Sequence, residues 1–111
     1  MKTVFGQIID GELPADKVYE NEHILVIKDL HPIAPIHFLI IPKKKIKDLQ
    51  SLEKEDLHIV AEIVSVAQQL AKQFGISDGY RLLTNNGTPA GQTIFHLHFH
   101  LIGGRPLGRM A

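Results

Sequence analysis

The chain has 111 residues, 44% hydrophobic and 22% charged, with 12 basic and 12 acidic side chains and a formal net charge of zero. That length suits one core and is too short for two, and the balanced charge argues against a protein that lives by binding nucleic-acid backbone. There is no cysteine, which excludes disulfides, thiolate catalysis and cysteine-ligated zinc. The N-terminal stretch holds no apolar signal-peptide core and no apolar run approaches a membrane span, so a soluble cytoplasmic protein is expected.

Val4, Phe5, Ile8 and Ile9 follow helical spacing, which predicts a short helix over residues 3–9 ended by Asp10-Gly11. Residues 17–20 and 23–28 read as two strands around an Asn21-Glu22 turn, an antiparallel hairpin. Pro32 and Pro35 make residues 29–35 a rigid loop, and residues 37–42 form a strand halted by Pro42. Lys43, Lys44, Lys45 and Lys47 follow as a solvated loop. Ser51 is the expected N-cap of a long helix, with Glu53, Glu55 and Asp56 near its positive end. This helix runs to Phe74 before Gly75 and carries two apolar stripes. Leu57, Val60, Ala61, Val64, Ala67 and Ala71 form one, and Ile59, Ile63, Val66 and Leu70 the other. One core face needs a single stripe, so this helix is expected to be covered by its own sheet and by a second subunit. His23, His31 and His58 are expected at the surface. Residues 80–85 read as a strand, and residues 86–93 as a loop of turn formers.

The stretch Phe95-His96-Leu97-His98-Phe99-His100-Leu101-Ile102 then alternates imidazole with apolar side chains. As a strand it would put the three histidines on one face and Phe95, Leu97, Phe99 and Leu101 on the other. Side-by-side imidazoles cannot all be charged cheaply, so some stay neutral and nucleophilic while a neighbour donates a proton. That suits phosphoryl transfer, with His98 between its neighbours as the natural nucleophile. The loop before it lacks the lysine and the following helix of a Walker motif. Its glycines and Thr93 could still hold a phosphate. The competing chemistry is a zinc ion shared by these histidines, with His37 as a further ligand. Spacing alone leaves both open.

His-Leu-His-Phe-His-Leu-Ile resembles the histidine triad of the HIT superfamily. Phe5-Gly6-Gln7-Ile8-Ile9, Glu12-Leu13-Pro14-Ala15, Asp29 with Pro32, Ala34 to Lys44, Gly79-Tyr80-Arg81, Asn85, Gly91-Gln92 and Gly103-Gly104-Arg105 extend the likeness over nearly the whole chain. Together they resemble the Hint branch, the histidine triad nucleotide-binding proteins. The Fhit and galactose-1-phosphate uridylyltransferase branches are less similar. The tail after Arg105 departs from the pattern, since some Hint members place a tryptophan near their end and this tail has no aromatic residue.

The resemblance implies a single HIT domain over residues 1–111. Its fold would be α+β, an antiparallel sheet of about five strands with one long helix and a short N-terminal one. It implies a homodimer whose sheets join, a purine nucleotide site taking AMP or GMP, and no partner nucleic acid or membrane. The implied activity is adenosine 5′-monophosphoramidase-like: hydrolysis of P–N bonds in nucleoside 5′-phosphoramidates, and of acyl-nucleotide mixed anhydrides. His98 would form a nucleotidyl-histidine intermediate, flanked by His96 and His100, with His37 assisting proton transfer and no metal or other cofactor needed. Asp29 would take the ribose hydroxyls. Phe5, Ile8, Ile27 and Leu30 would line the base pocket, and Asn85, Gly91, Thr93, His98 and His100 would hold phosphate. Two other classes compete: a nucleotide-binding module with little turnover, and a histidine-ligated metal protein.

Overall fold

The structure, a computed structural model, describes residues 2–110. Its elements in chain order are α1 (Val4–Ile9), β1 (Lys17–Glu20), β2 (Ile24–Lys28), β3 (Ile36–Pro42), α2 (Leu57–Gln73), β4 (Tyr80–Leu83) and β5 (Phe99–Gly103). The strands make one five-stranded sheet in the order β1-β2-β3-β5-β4, every neighbouring pair antiparallel. This is the α+β fold expected from the sequence.

Alternation along the central strands divides the core into two layers. Ile24, Val26, Phe38, Ile40, Phe99 and Leu101 pack with Ile59, Ile63, Val66 and Leu70 of α2. Leu25, Ile27, Leu39 and Ile41 project to the opposite face, where Phe5 and Ile8 of α1 cover them. A sheet covered on both faces explains why β2 and β3 read as unbroken apolar runs. Helix α1 has six residues, too few to persist alone. The Thr3 hydroxyl caps it by accepting from the Gly6 N–H at 3.1 Å, and Phe5 and Ile8 anchor it.

Two sequence expectations are corrected. Ser51 does not cap α2. Its N–H and hydroxyl both donate to Asp48 Oδ1, at 2.9 and 2.7 Å, within a 3₁₀ turn over Leu49–Ser51. A second 3₁₀ turn over Lys54–Asp56 carries a Glu53–Asp56 capping box, and α2 begins after it. The histidine strand is shorter than the alternation predicts. The Leu97 N–H leaves the ladder for Ile46 O at 2.7 Å, and the strand starts at Phe99. Phe95 is accordingly 38% exposed, with the Lys47 ammonium 5.9 Å from its ring centre. Within this chain α2 is covered on one side only, because Leu57 and Val64 of the first stripe stay 55% and 41% exposed while Ala67 and Ala71 are buried.

Strand β4 lies at the sheet edge. In the lysine cluster, Lys43 pairs with Glu20 at 2.7 Å and Lys44 with Asp56 at 2.6 Å. Among the described residues no helix is long and apolar enough to cross a membrane.

Candidate active site

The β3–β5 register pairs His37 with Ile102 and Leu39 with His100. His37 and His100 therefore project from adjacent strands to the α1 side, diagonal to one another. His37 Nε2 lies 2.9 Å from His100 Nδ1 and 3.4 Å from Asp29 Oδ2. The His98 ring is 5.3 Å from that of His100, and Phe5 packs edge-on against it at 4.9 Å.

Backbone groups decide which nitrogen carries each proton. The Ile33 N–H donates to His37 Nδ1 at 3.2 Å, so neutral His37 keeps its hydrogen on Nε2. That hydrogen can be given to His100 Nδ1, which leaves the His100 hydrogen on Nε2. His98 Nδ1–H donates to His96 O at 2.8 Å, leaving the Nε2 lone pair of His98 free. His96 Nε2–H donates to Pro42 O at 2.8 Å. The Thr84 hydroxyl holds the same segment by donating to His98 O at 2.7 Å.

Burial pushes all four histidines below their ordinary value. His100 falls furthest, to about 4, through burial and then the neighbouring His98 and His37. The Asp29 carboxylate acts in the opposite direction on His37, His98 and His100. At neutral pH the row is uncharged, the state in which an imidazole can attack.

Asp29, His37 and His100 also offer donor atoms within 4.8 Å of one another, the kind of set that could hold a metal ion. The set does not fit a metal as it stands. The Ile33 N–H occupies His37 Nδ1 and fixes the hydrogen on Nε2, the atom that would have to ligate.

A cavity of about 300 Å³ opens next to Phe5 and Asp29, the residues that touch His98 and His37. Phe5, Ile8, Ile27, Leu39 and Ile94 give it apolar walls, Asp29 and Thr93 supply polar atoms, and Leu30, 88% exposed, stands at its rim. His31 is exposed, as expected, and also reaches this rim. A larger hollow of about 510 Å³ lies between α2 and Tyr80, away from the histidines.

Asp29, His37, His98, His100 and Phe5 thus form one cluster, of which Phe5 and Asp29 also line the 300 Å³ cavity. His96 stands apart: it is 2% exposed, tied to Pro42, and lines a separate cavity of about 220 Å³ with Lys43 and Lys45. Gly91 has φ +99° and its N–H already donates to Thr88 O at 2.9 Å. Asn85 is half-buried and does not line the 300 Å³ cavity.

Three contributors carry no signal as site residues in the sequence. Gln92, 3% exposed, accepts from the Gly87 N–H at 2.7 Å and donates to Lys47 O and Ile94 O at 3.0 and 3.1 Å. It ties the 86–93 loop to the segment after β3. The Ile33 N–H and the Thr84 hydroxyl are the others. A backbone N–H is invisible in any side-chain pattern, and Thr84 reads as an ordinary strand residue.

The model of the HIT domain family matches residues 10–107, and the chain belongs to that family. It is 53% identical over 109 residues to a HIT-like protein of Chlamydia pneumoniae, covering 98% of this chain and 99% of that one. It is similar to a HIT family hydrolase of Legionella pneumophila, with TM-score 0.94, 41% identity and 96% of each chain covered. It is also similar to a histidine triad nucleotide-binding protein of Candida albicans, with TM-score 0.82, 32% identity, and 99% of this chain and 84% of that one covered.

Proposed function

We propose that the protein is a cytoplasmic nucleotide-binding hydrolase that cleaves P–N bonds of nucleoside 5′-phosphoramidates through a nucleotidyl-histidine on His98. Acyl-nucleotide mixed anhydrides are related substrates. The observation that carries this is the orientation of His98, whose Nδ1–H is spent on His96 O so that Nε2 keeps its lone pair, with Phe5 packed between the ring and the apolar cavity that Phe5 lines.

In the first step His98 Nε2 attacks phosphorus and the P–N bond to the leaving amine breaks. His100 Nε2–H gives a proton to the departing nitrogen so that the amine leaves neutral, and one proton taken up from solvent through the His37–His100 pair keeps both imidazoles neutral. In the second step water attacks phosphorus and gives up a proton to solvent through His100, the P–His98 bond breaks, and nucleoside monophosphate leaves with His98 neutral again. His96 orients His98 through its carbonyl. Thr93, Asn85 and Gly91 stand with His98 and His100 as phosphate contacts. Phe5, Ile8, Ile27 and Leu30 enclose the purine of AMP or GMP, and Asp29 takes the ribose hydroxyls. No metal takes part.

The names of the Legionella and Candida relatives support hydrolysis and nucleotide binding in turn. Residues 1–111 act as one HIT domain. The protein works as a homodimer, supported by exposed Leu57 and Val64 on α2 and by the unpaired edge of β4.

The test is hydrolysis of adenosine 5′-phosphoramidate in EDTA by the parent and by His98→Ala. Metal-independent release of AMP that vanishes in the variant is expected. A folded parent that binds AMP and releases none would favour the binding module, and activity lost only on chelation would favour a metal centre.

A further inference from the structure

The His37 Nε2 hydrogen meets one hydrogen-bond acceptor, His100 Nδ1, while the Asp29 carboxylate stands at ion-pair distance as its competitor, and a bound sugar would engage that carboxylate. His100 Nδ1 is at 2.9 Å and Asp29 Oδ2 at 3.4 Å. Because the Ile33 N–H occupies Nδ1, His37 has one hydrogen to give. Asp29 is not free to swing away, since its Oδ1 accepts from the His31 N–H at 2.8 Å. Its carboxylate is 18% exposed and faces the cavity proposed for the nucleoside.

We propose that Asp29 is a positioning residue that couples occupancy by a vicinal diol to the orientation of His37 and His100, so that the sugar hydroxyls of the nucleotide raise the rate of the chemical step and not only the affinity. This rests on the nucleotide hydrolysis proposed above.

In the free site the carboxylate draws on the Nε2 hydrogen of His37. To the extent that it succeeds, His100 Nδ1 loses its donor and can carry its own hydrogen there. That tautomer leaves a lone pair on His100 Nε2, toward phosphate, where a donor is needed. A vicinal diol offers two O–H donors to the same carboxylate. Once Asp29 accepts from the diol, the His37 hydrogen goes to His100 alone, and the Nε2–H tautomer of His100 is selected. The ligand then shifts a tautomer equilibrium by its differential contact with one state.

The experiment compares adenosine and 2′,3′-dideoxyadenosine 5′-phosphoramidates in single turnover at saturating substrate, in the parent and in Asp29→Ala. In the parent, loss of the diol should slow the saturated rate about tenfold, a modest part of what general acid catalysis supplies. In Asp29→Ala the two substrates should react at the same saturated rate. Should Asp29→Ala unfold, as melting would show, Asp29→Asn keeps an oxygen for the His31 N–H, removes the charge, and should shrink the ratio likewise. Equal saturated rates in the parent, with a difference in KM alone, would overturn the coupling. So would a ratio that persists in both variants. If the folded parent released no AMP from either substrate, the underlying hydrolase function would fall and this inference with it.

Discussion

The backbone N–H of Ile33 points at His37 Nδ1 from 3.2 Å, and that contact fixes the direction of the histidine row. It makes His37 Nε2 a donor and, wherever His100 Nδ1 accepts from it, His100 Nε2 a donor in turn. A proton can therefore be passed toward phosphate and not away from it. His37→Ala removes this link of the relay while leaving His98 anchored to His96 O. The single-turnover rate should fall about a hundredfold, in the range of one lost acid–base group. Affinity for AMP, measured by calorimetry, should change much less.

Burial also gives the row a pH signature. His98 must be neutral to attack and is held below its ordinary 6.5, so the acid limb of kcat/KM should lie below pH 6.5. Stability follows the same groups. These histidines bind fewer protons folded than unfolded, and His100 does so between 6.5 and about 4. Stability is therefore fully present above pH 6.5 and falls as the pH drops through that window. Urea denaturation across pH 4–7 should show this slope, and His100→Asn should flatten it.

Gln92 can be tested by removing its donors. In Gln92→Glu a carboxylate would face the carbonyls of Lys47 and Ile94 in a buried position. The cost should be about 2–4 kcal/mol in urea denaturation, the range for a buried group that loses its partners and gains charge. The loop bearing Thr93 would loosen, so KM for the phosphoramidate should rise more than kcat falls.

The outer stripe of α2 tests the dimer. Val64 is 41% exposed, so glutamate there is tolerated in a monomer and costly inside an apolar interface. Val64→Glu should elute as a monomer in size-exclusion chromatography with light scattering, with its melting temperature becoming independent of concentration. An unchanged oligomer would remove this stripe from the interface.

Much of the fold was legible because its signals are local. The apolar runs of β2 and β3 report a sheet covered on both faces, and Gly75, at φ +72°, ends α2 where a left-handed residue is needed. The misread segments are those where a long-range bond overrides a local pattern. His96 and Leu97 alternate like strand residues, yet Pro42 O and Ile46 O draw them off the ladder. Ser51 looks like a cap, but Asp48 takes its hydroxyl. In the site, His37 and His100 were legible as imidazoles on strands. The closeness of Asp29 to His37 depends on the Pro32–Pro35 loop folding back, and the Ile33 N–H leaves no mark on side-chain periodicity.

The most direct test of the central claim is to trap the covalent state. Parent protein mixed with adenosine 5′-phosphoramidate in EDTA is quenched in denaturant at alkaline pH, and its intact mass and peptides are measured. A transient mass gain of one adenylyl group, localised to His98 and absent in His98→Ala, is the predicted result. Turnover with no adduct at any time, or an adduct on another residue, would contradict His98 as the nucleophile.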